Sequence, residues 1–370
     1  MATAAAHWYS LGMATTRIHA FGKLDDGREV LAVTLASSRG HEATVLTLGA
    51  TLQALWVPDR PGGRTDIVLG HDEPAAYLSH RHYFGATVGR HANRIAQGRF
   101  RLEGRQYQLE QNDGDNHLHG GGAAAFHRRL WQIEEAADGA VDLALRSDAD
   151  EGGYPGRLDV TARYALSDDG ELSIDYGAVT DAPTIINLTS HSYFNLCGCG
   201  DVLAHRLTLD ASRYAPVDAN LIPTGELPEV TGTPFDFRTG MLVGKRIRDP
   251  DPQLRRARGY DHHFVIDGEP GKLRRAARLE HSDSGRALEL HITAPGVQFY
   301  SGNFLDGSTL GKAGRACRQG DGLCLEPQGF PDAPNQPSFP STRLMPGDRY
   351  ANRMQLRFDV EEVPPLSPRV

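Results

Sequence analysis

The sequence predicts an all-β chain, one large antiparallel β-sandwich with few short helices. Three observations carry this. Asp-Gly and Glu-Gly pairs recur between alternating apolar runs, a hairpin signature because both central residues of the favoured tight turn take positive φ. Glycine and proline, 41 and 22 of 370 residues, are spread along the chain without a linker-like shift, as in sandwiches of many short strands. No segment keeps helical periodicity over three or four turns.

Taken in order, residues 31–35, 43–48 and 52–57 read as strands closed by the turn Pro58-Asp59-Arg60-Pro61-Gly62-Gly63. Phe100, Leu102, Tyr107 and Leu109 flank Glu103-Gly104 as a hairpin. Residues 131–135 and 141–145 surround Asp138-Gly139, and 160–166 and 172–176 surround Asp168-Asp169-Gly170. Short helices are expected at 73–79 and 244–247. Residues 326–348, rich in Pro, Asn and Ser, read as surface loop. The length alone suggests two or three domains, but the even composition and lack of internal repeats favour one, spanning 20–363. Residues 1–19 then form an N-terminal extension and 364–370 a C-terminal tail.

The net charge of −8, from 39 Lys and Arg against 47 Asp and Glu, gives a field that does not favour nucleic acid or an anionic membrane. Two basic clusters, 255–258 and 272–275, are read as solvated loop charge. No apolar run is long enough to cross a bilayer, and residues 1–20 lack the basic start and apolar block of a secretory signal. A cytoplasmic protein is expected, with Met13 as an alternative start. The four cysteines are Cys197, Cys199, Cys317 and Cys324. The one-residue gap of Cys197-Gly198-Cys199 differs from the two-residue gap of zinc and redox pairs, so reduced, non-catalytic thiols are expected. Asn187-Leu188-Thr189 fits the glycosylation triplet, but without a secretory signal it reads as a chance match.

The chemistry centres on Thr189-Ser190-His191-Ser192-Tyr193-Phe194-Asn195-Leu196, which sets one histidine among hydroxyls, an amide and aromatic rings. Such surroundings can hold an imidazole in one tautomer and tune its pKa; they also suit a core histidine satisfied by hydroxyls. Four further segments are polar and punctuated by Gly or Pro. In the first, Gly89 to Ala96, Asn93 and Arg94 lie between apolar residues, Arg94 being either a surface charge or a buried fork of donors. In the second, glycines follow His117 and His119 and permit close approach of backbone and ligand, as a plain glycine loop also would. In the third, Asp261 precedes an apolar strand, where its carboxylate can accept sugar hydroxyls or simply form a turn. In the fourth, Glu326 ends an apolar run, where partial desolvation raises its pKa towards that of a general base. Gln298 adds an amide on an expected strand.

Together these segments resemble the aldose 1-epimerase family, the galactose mutarotases. The matching pieces are Gly89-Arg90-His91-Ala92-Asn93-Arg94-Ile95, Asn116-His117-Leu118-His119-Gly120-Gly121, Glu151-Gly152-Gly153-Tyr154-Pro155-Gly156, residues 187–196, Gly259-Tyr260-Asp261-His262 and Leu325-Glu326-Pro327-Gln328. They occur in the family's order and extend roughly from residue 20 to 360. The resemblance implies a galactose mutarotase-like supersandwich with an open sugar cleft and no cofactor or metal. It also implies interconversion of the α- and β-anomers of a free aldose. By the same resemblance, Glu326 is the general base on the C1 hydroxyl and His191 the general acid on the ring oxygen. Asn93, Arg94, His119, Asp261 and Gln298 then hold the sugar. Gly329 departs from the bulkier residue of many relatives, which puts that lip of the cleft in doubt.

The reaction suits these residue types, because opening a cyclic hemiacetal needs a base at O1 and an acid at the ring oxygen, while nothing is consumed. The expectation is an ionised Glu326, a protonated His191 and a bell-shaped rate profile. The partner is a small aldose, with no nucleic acid or membrane, and the protein a monomer or homodimer. Three other readings are weighed. His80-Arg81-His82 and His117-Leu118-His119 have the alternate spacing of metal ligands on a strand, but 120–125 lacks the accompanying carboxylate. A non-catalytic sugar-binding module would not need both Glu326 and His191. An epimerase of a phosphorylated hexose would want basic groups in the cleft, which the clusters near Arg255 and Arg274 leave open.

Overall fold

The computed structural model describes residues 14–60 and 62–360. Most of the expected extension, with Met13, the Pro61 of the expected turn and the 364–370 tail lie outside the described residues.

Each expected hairpin forms where its turn residues can take positive φ. Arg99–Leu102 pairs with Arg105–Gln108 across Glu103 (φ 48°) and Gly104 (φ 77°). Gln132–Ala137 pairs with Ala140–Ser147 across Asp138 (φ 49°) and Gly139 (φ 73°). Leu158–Leu166 pairs with Leu172–Thr180, with Gly170 at φ 87° in the connection.

Three sheets position the site. Thr15–Lys23, Glu29–Ala36, Glu42–Leu46, Thr51–Pro58 and Arg64–Asp66 form a five-stranded meander in chain order. Its first strand pairs Thr15 with Ala36, so residues 15–19, set apart as extension by the sequence reading, belong to a sheet. That strand is largely exposed and carries no clean apolar alternation to read. The second sheet has nine strands, in the order Gln132–Ala137, Ala140–Ser147, Leu158–Leu166, Leu172–Thr180, Tyr350–Val360, Arg286–Ile292, Arg274–Glu280, Arg206–Leu209 and Met241–Leu242. The third has five, Tyr193–Phe194, Leu323–Gln328, Gly296–Tyr300, Asp261–Ile266 and Ala211–Ala215.

Period-2 alternation makes the second and third sheets face each other. Val160, Tyr164, Ile174 and Leu290 of the nine-stranded sheet share one core cluster with Phe264, Phe299 and Leu325 of the third. Burial of each such side chain is worth about 1.5–3 kcal/mol. The third sheet has its other face free for chemistry.

Among the described residues, α-helix is confined to Pro74–Ser79 and Pro252–Ala257. The first lies where a helix was expected, with Pro74 at its start. The expected 244–247 helix is a single 3₁₀ turn, Val243–Lys245. Pro252–Ala257 falls in the basic stretch read as loop; Asp251 caps it by accepting from the Gln253 and Leu254 amides, and six residues are too few for periodicity to register. The expected 326–348 loop is also corrected at its start, because Glu326 belongs to the Leu323–Gln328 strand, and Phe330, Ala333 and Phe339 beyond it pack into a small buried cluster. No helix among the described residues is long and apolar enough to cross a membrane.

Candidate active site

The floor of the site is set by strand register. All six residues of Leu323–Gln328 are buried, because Leu323 and Leu325 point into the core while Cys324 and Glu326 point the other way. Across the third sheet, Tyr193 is opposite Cys324, Cys324 opposite Tyr300, and Tyr300 opposite Asp261. In the next row Glu326 is opposite Gln298, and Gln298 opposite His263. Side chains directly opposite on adjacent strands lie in contact, so register alone gathers a carboxylate pair, an amide, a thiol and tyrosines.

Loops supply the walls. His191 sits between Thr189–Ser190 and Tyr193–Phe194; its amide donates to Ala86 O and its carbonyl accepts from Gly85 N. Asn93 and His119 both take left-handed backbone, φ 62° and 52°. The Asn93 amide donates to His119 Nδ1 at 3.1 Å, and Asn93 Oδ1 accepts from the Arg94 amide at 2.8 Å. Gly120 lets the two loops cross, since a Cβ there would lie 1.7 Å from Gly89 O. Arg90 is a buried fastener rather than a cleft residue. Its guanidinium donates to the carbonyls of Pro155 and Gly156 at 3.0 and 2.7 Å, and to Ser147 Oγ and Asp148 O at 2.8 Å each. Tyr154 of the same Glu151 to Gly156 motif bonds His117 Nε2 at 2.6 Å. That motif therefore anchors the cleft wall and does not line the cleft.

Six of the seven residues singled out in the sequence, Asn93, Arg94, His119, His191, Asp261 and Glu326, line one cleft of about 410 Å³. Gln298 lies behind them, donating from Nε2 to Asp261 Oδ1 at 2.7 Å. Arg94 bridges two carboxylates, with Nε 2.8 Å from Asp113 and Nη1 3.8 Å from Asp261. His191 Nε2 stands 3.8 Å from Glu326 Oε1, with 5% and 2% of the two residues exposed. Glu326 Oε2 is buried without a hydrogen-bond partner, a state that costs about 1–3 kcal/mol or more until something donates to it.

Burial acts against both charged forms that the sequence reading invokes. Burial pushes the Glu326 carboxyl well above its ordinary range, and neighbouring Asp261 adds to the rise. Burial pulls His191 down to about 4. Burial thus works against the carboxylate and the imidazolium alike, and favours the carboxyl protonated and the imidazole neutral. This is the same proton count as carboxylate with imidazolium, which becomes accessible by redistribution within the pair.

The paired-histidine spacings do not converge on a common point. His80 Nδ1 meets Thr309 Oγ1, and His117 is held by Tyr154. Instead His119, His191 and Glu326 bring their ligand-type atoms within 4.8 Å of one another. His119 Nδ1, however, accepts from a backbone amide, so the neutral ring carries its hydrogen on Nε2. It presents a donor to an oxygen, not a lone pair to a cation.

Among the aromatic rings, Phe304 lines the cleft, whereas Phe84 and Phe330 are buried. Tyr83, Tyr193 and Tyr300 also line it. Gly329 is not an open lip, because its amide and carbonyl pair with the Asn187 side chain at 2.8 and 3.2 Å. The four cysteines are unbridged.

Residues 32–357 match the aldose 1-epimerase family model. The chain belongs to the aldose 1-epimerase family. It is an isomerase of that family. It is 44% identical over 342 residues to galactose mutarotase from Bos taurus, covering 92% of this chain and 97% of that protein. It is 38% identical over 339 residues to aldose 1-epimerase from Escherichia coli (strain K12), covering 91% and 97%. Among solved structures, galactose 1-epimerase from Lactobacillus acidophilus superposes with TM-score 0.82 at 30% identity, covering 93% of this chain and 98% of that one. This aldose 1-epimerase family member thus shares the fold of its relatives over nearly its whole length.

Proposed function

We propose that the protein interconverts the α- and β-anomers of free aldohexoses such as galactose and glucose by general acid/base ring opening and closure. Glu326 takes the proton of the C1 hydroxyl, and His191 gives a proton to the ring oxygen. The freed aldehyde rotates about C1–C2, and reclosure on the other face returns both protons with the roles reversed. The observation that carries this is the buried Glu326–His191 pair, 3.8 Å apart, at the floor of a cleft otherwise lined by hydrogen-bonding groups. Arg94, Asn93, His119 and Asp261 hold the sugar hydroxyls, with Gln298 bracing Asp261. The reaction is redox-neutral and nothing is consumed, so the scheme calls on no cofactor or metal.

Charge in the cleft supports a neutral sugar over a phosphorylated one. Arg81 and Arg94 face Asp113, Asp115, Asp261 and Glu326 there, while Arg275 pairs with Asp210 and Arg274 donates to the Ala294 carbonyl away from the cleft. The same reading places the protein in the cytoplasm as a monomer or homodimer, without nucleic-acid or membrane partners, in keeping with a net charge of −8. It also takes residues 20–363 as one domain, to which the strand Thr15–Lys23 adds residues 15–19.

Polarimetry of freshly dissolved α-D-galactose and α-D-glucose tests the proposal. Catalytic amounts of protein should hasten the approach to anomeric equilibrium. No acceleration with any free aldose would leave the fold standing but overturn the substrate assignment. Arg94→Lys replaces a two-carboxylate fork by a point charge, and its KM should rise roughly 10-fold or more with a smaller change in kcat. An unchanged KM would remove Arg94 from the binding set.

A further inference from the structure

We infer that the Cys324 thiol is a positioning residue that holds His191 with an N–H, rather than a lone pair, facing the sugar. Cys324 Sγ lies 3.5 Å from His191 Nδ1, within reach of a sulfur hydrogen bond. Both residues are buried, and Cys324 is wholly inaccessible. Strand register places Cys324 between Tyr193 and Tyr300 in the row beside Glu326, so the sulfur approaches His191 from beneath while Nε2 points towards the carboxylate.

A thiol that keeps its proton can donate to Nδ1. Burial raises its pKa well above the ordinary value, so it keeps its proton. When S–H donates to Nδ1, the neutral ring must carry its hydrogen on Nε2. His119 is held in the same tautomer by the Asn93 amide. Two imidazoles thus turn N–H donors towards one carboxylate and the ring oxygen of a bound sugar.

Among the other groups facing His191, only its own backbone carbonyl bears on the tautomer. Tyr83, Tyr193 and Tyr300 meet the ring through their aromatic faces and edges, with centroids 5.6, 5.2 and 6.4 Å away. His119 stands edge-on at 5.1 Å, Glu326 faces Nε2, and His82 and His127 interact with the ring only through space. The residue's own backbone carbonyl acts in the opposite sense to the thiol, favouring the charged ring. Donation from the thiol to Nδ1 opposes protonation there and so depresses the His191 pKa.

The inference rests on His191 being the acid, and its test can fail separately. Nitrogen NMR of ¹⁵N-histidine-labelled wild type, with His191 assigned by difference from His191→Asn, should show the hydrogen on Nε2. Cys324→Ala should lower kcat roughly 5- to 10-fold with little change in KM, and move the acid limb of the kcat profile up by about one pH unit. Cys324→Ser, which keeps a donor, should restore both. A wild-type hydrogen on Nδ1 overturns the inference whatever the variants do. So does a Cys324→Ala enzyme with wild-type kcat and pH profile, or a serine variant that behaves like alanine. Retention of the full rate by His191→Asn would instead sink the acid assignment, leaving the tautomer to be read from the NMR alone.

Discussion

Glu326→Gln is expected to lower kcat for galactose and glucose anomer interconversion by about 10²–10⁴, the usual worth of one well-placed acid or base. Glutamine keeps the shape and can still donate to a sugar hydroxyl, so binding should survive. What it loses is the ability to accept the C1 proton. His191→Asn should fall by a similar factor. The double variant should be little worse than either single one, because the two groups act as a unit. Wild type should give a bell-shaped profile. The singly protonated pair exists between the His191 pKa of about 4 and the raised Glu326 pKa, so the acid limb falls near the first and the basic limb above the ordinary carboxylate range. Polarimetry across pH, with sugar binding followed by calorimetry, measures all of this. A Glu326→Gln enzyme within a few-fold of wild type would remove Glu326 from the reaction.

Acid should unfold the protein well before ordinary carboxylates are titrated. Burial pulls His91, His127, His205, His262 and His263 from 6.5 to about 3, and His71, His117 and His191 to about 4. In the unfolded chain these rings bind protons below about 6.5, and in the fold they do not. The stability they contribute is therefore complete above pH 6.5 and is lost as pH falls from there towards 3–4. Each contributes up to about 1.4 kcal/mol per pH unit. Glu326, Asp261 and Asp332, raised by burial, work with the opposite sign, since the fold binds their protons more readily than the unfolded chain. They are outnumbered. Against a typical total of about 5–15 kcal/mol, the urea midpoint should drop steeply between pH 7 and 5. A midpoint that stays level over that range would show that these histidines are solvated or charged in the fold.

How much of this was legible in the sequence depended on how local the signal is. Asp138-Gly139 and Glu103-Gly104 announce their hairpins because the positive φ they adopt is a property of those residues themselves. Glu326, His191 and Asp261 were found through short motifs that match a family. Cys324 was passed over because, within Leu-Cys-Leu, it reads as one more apolar residue, and only its register with Tyr193 and Tyr300 reveals the face it occupies. Asp113, the stronger partner of Arg94, looked like any Asp-Gly turn. The burial that works against the charged forms of Glu326 and His191 was not legible there, because it arises from strands distant in sequence. Arg90 lies inside a family motif yet serves the scaffold.

The division between a floor fixed by strand register and walls made of loops separates two kinds of evolutionary freedom. A substitution or insertion near Tyr83, Asn112 or Asn220 reshapes cleft lining that lies outside the sheet, and leaves Glu326, Cys324 and Asp261 locked in their rows. Descendants of such a scaffold can change their diet without relearning how to open a ring.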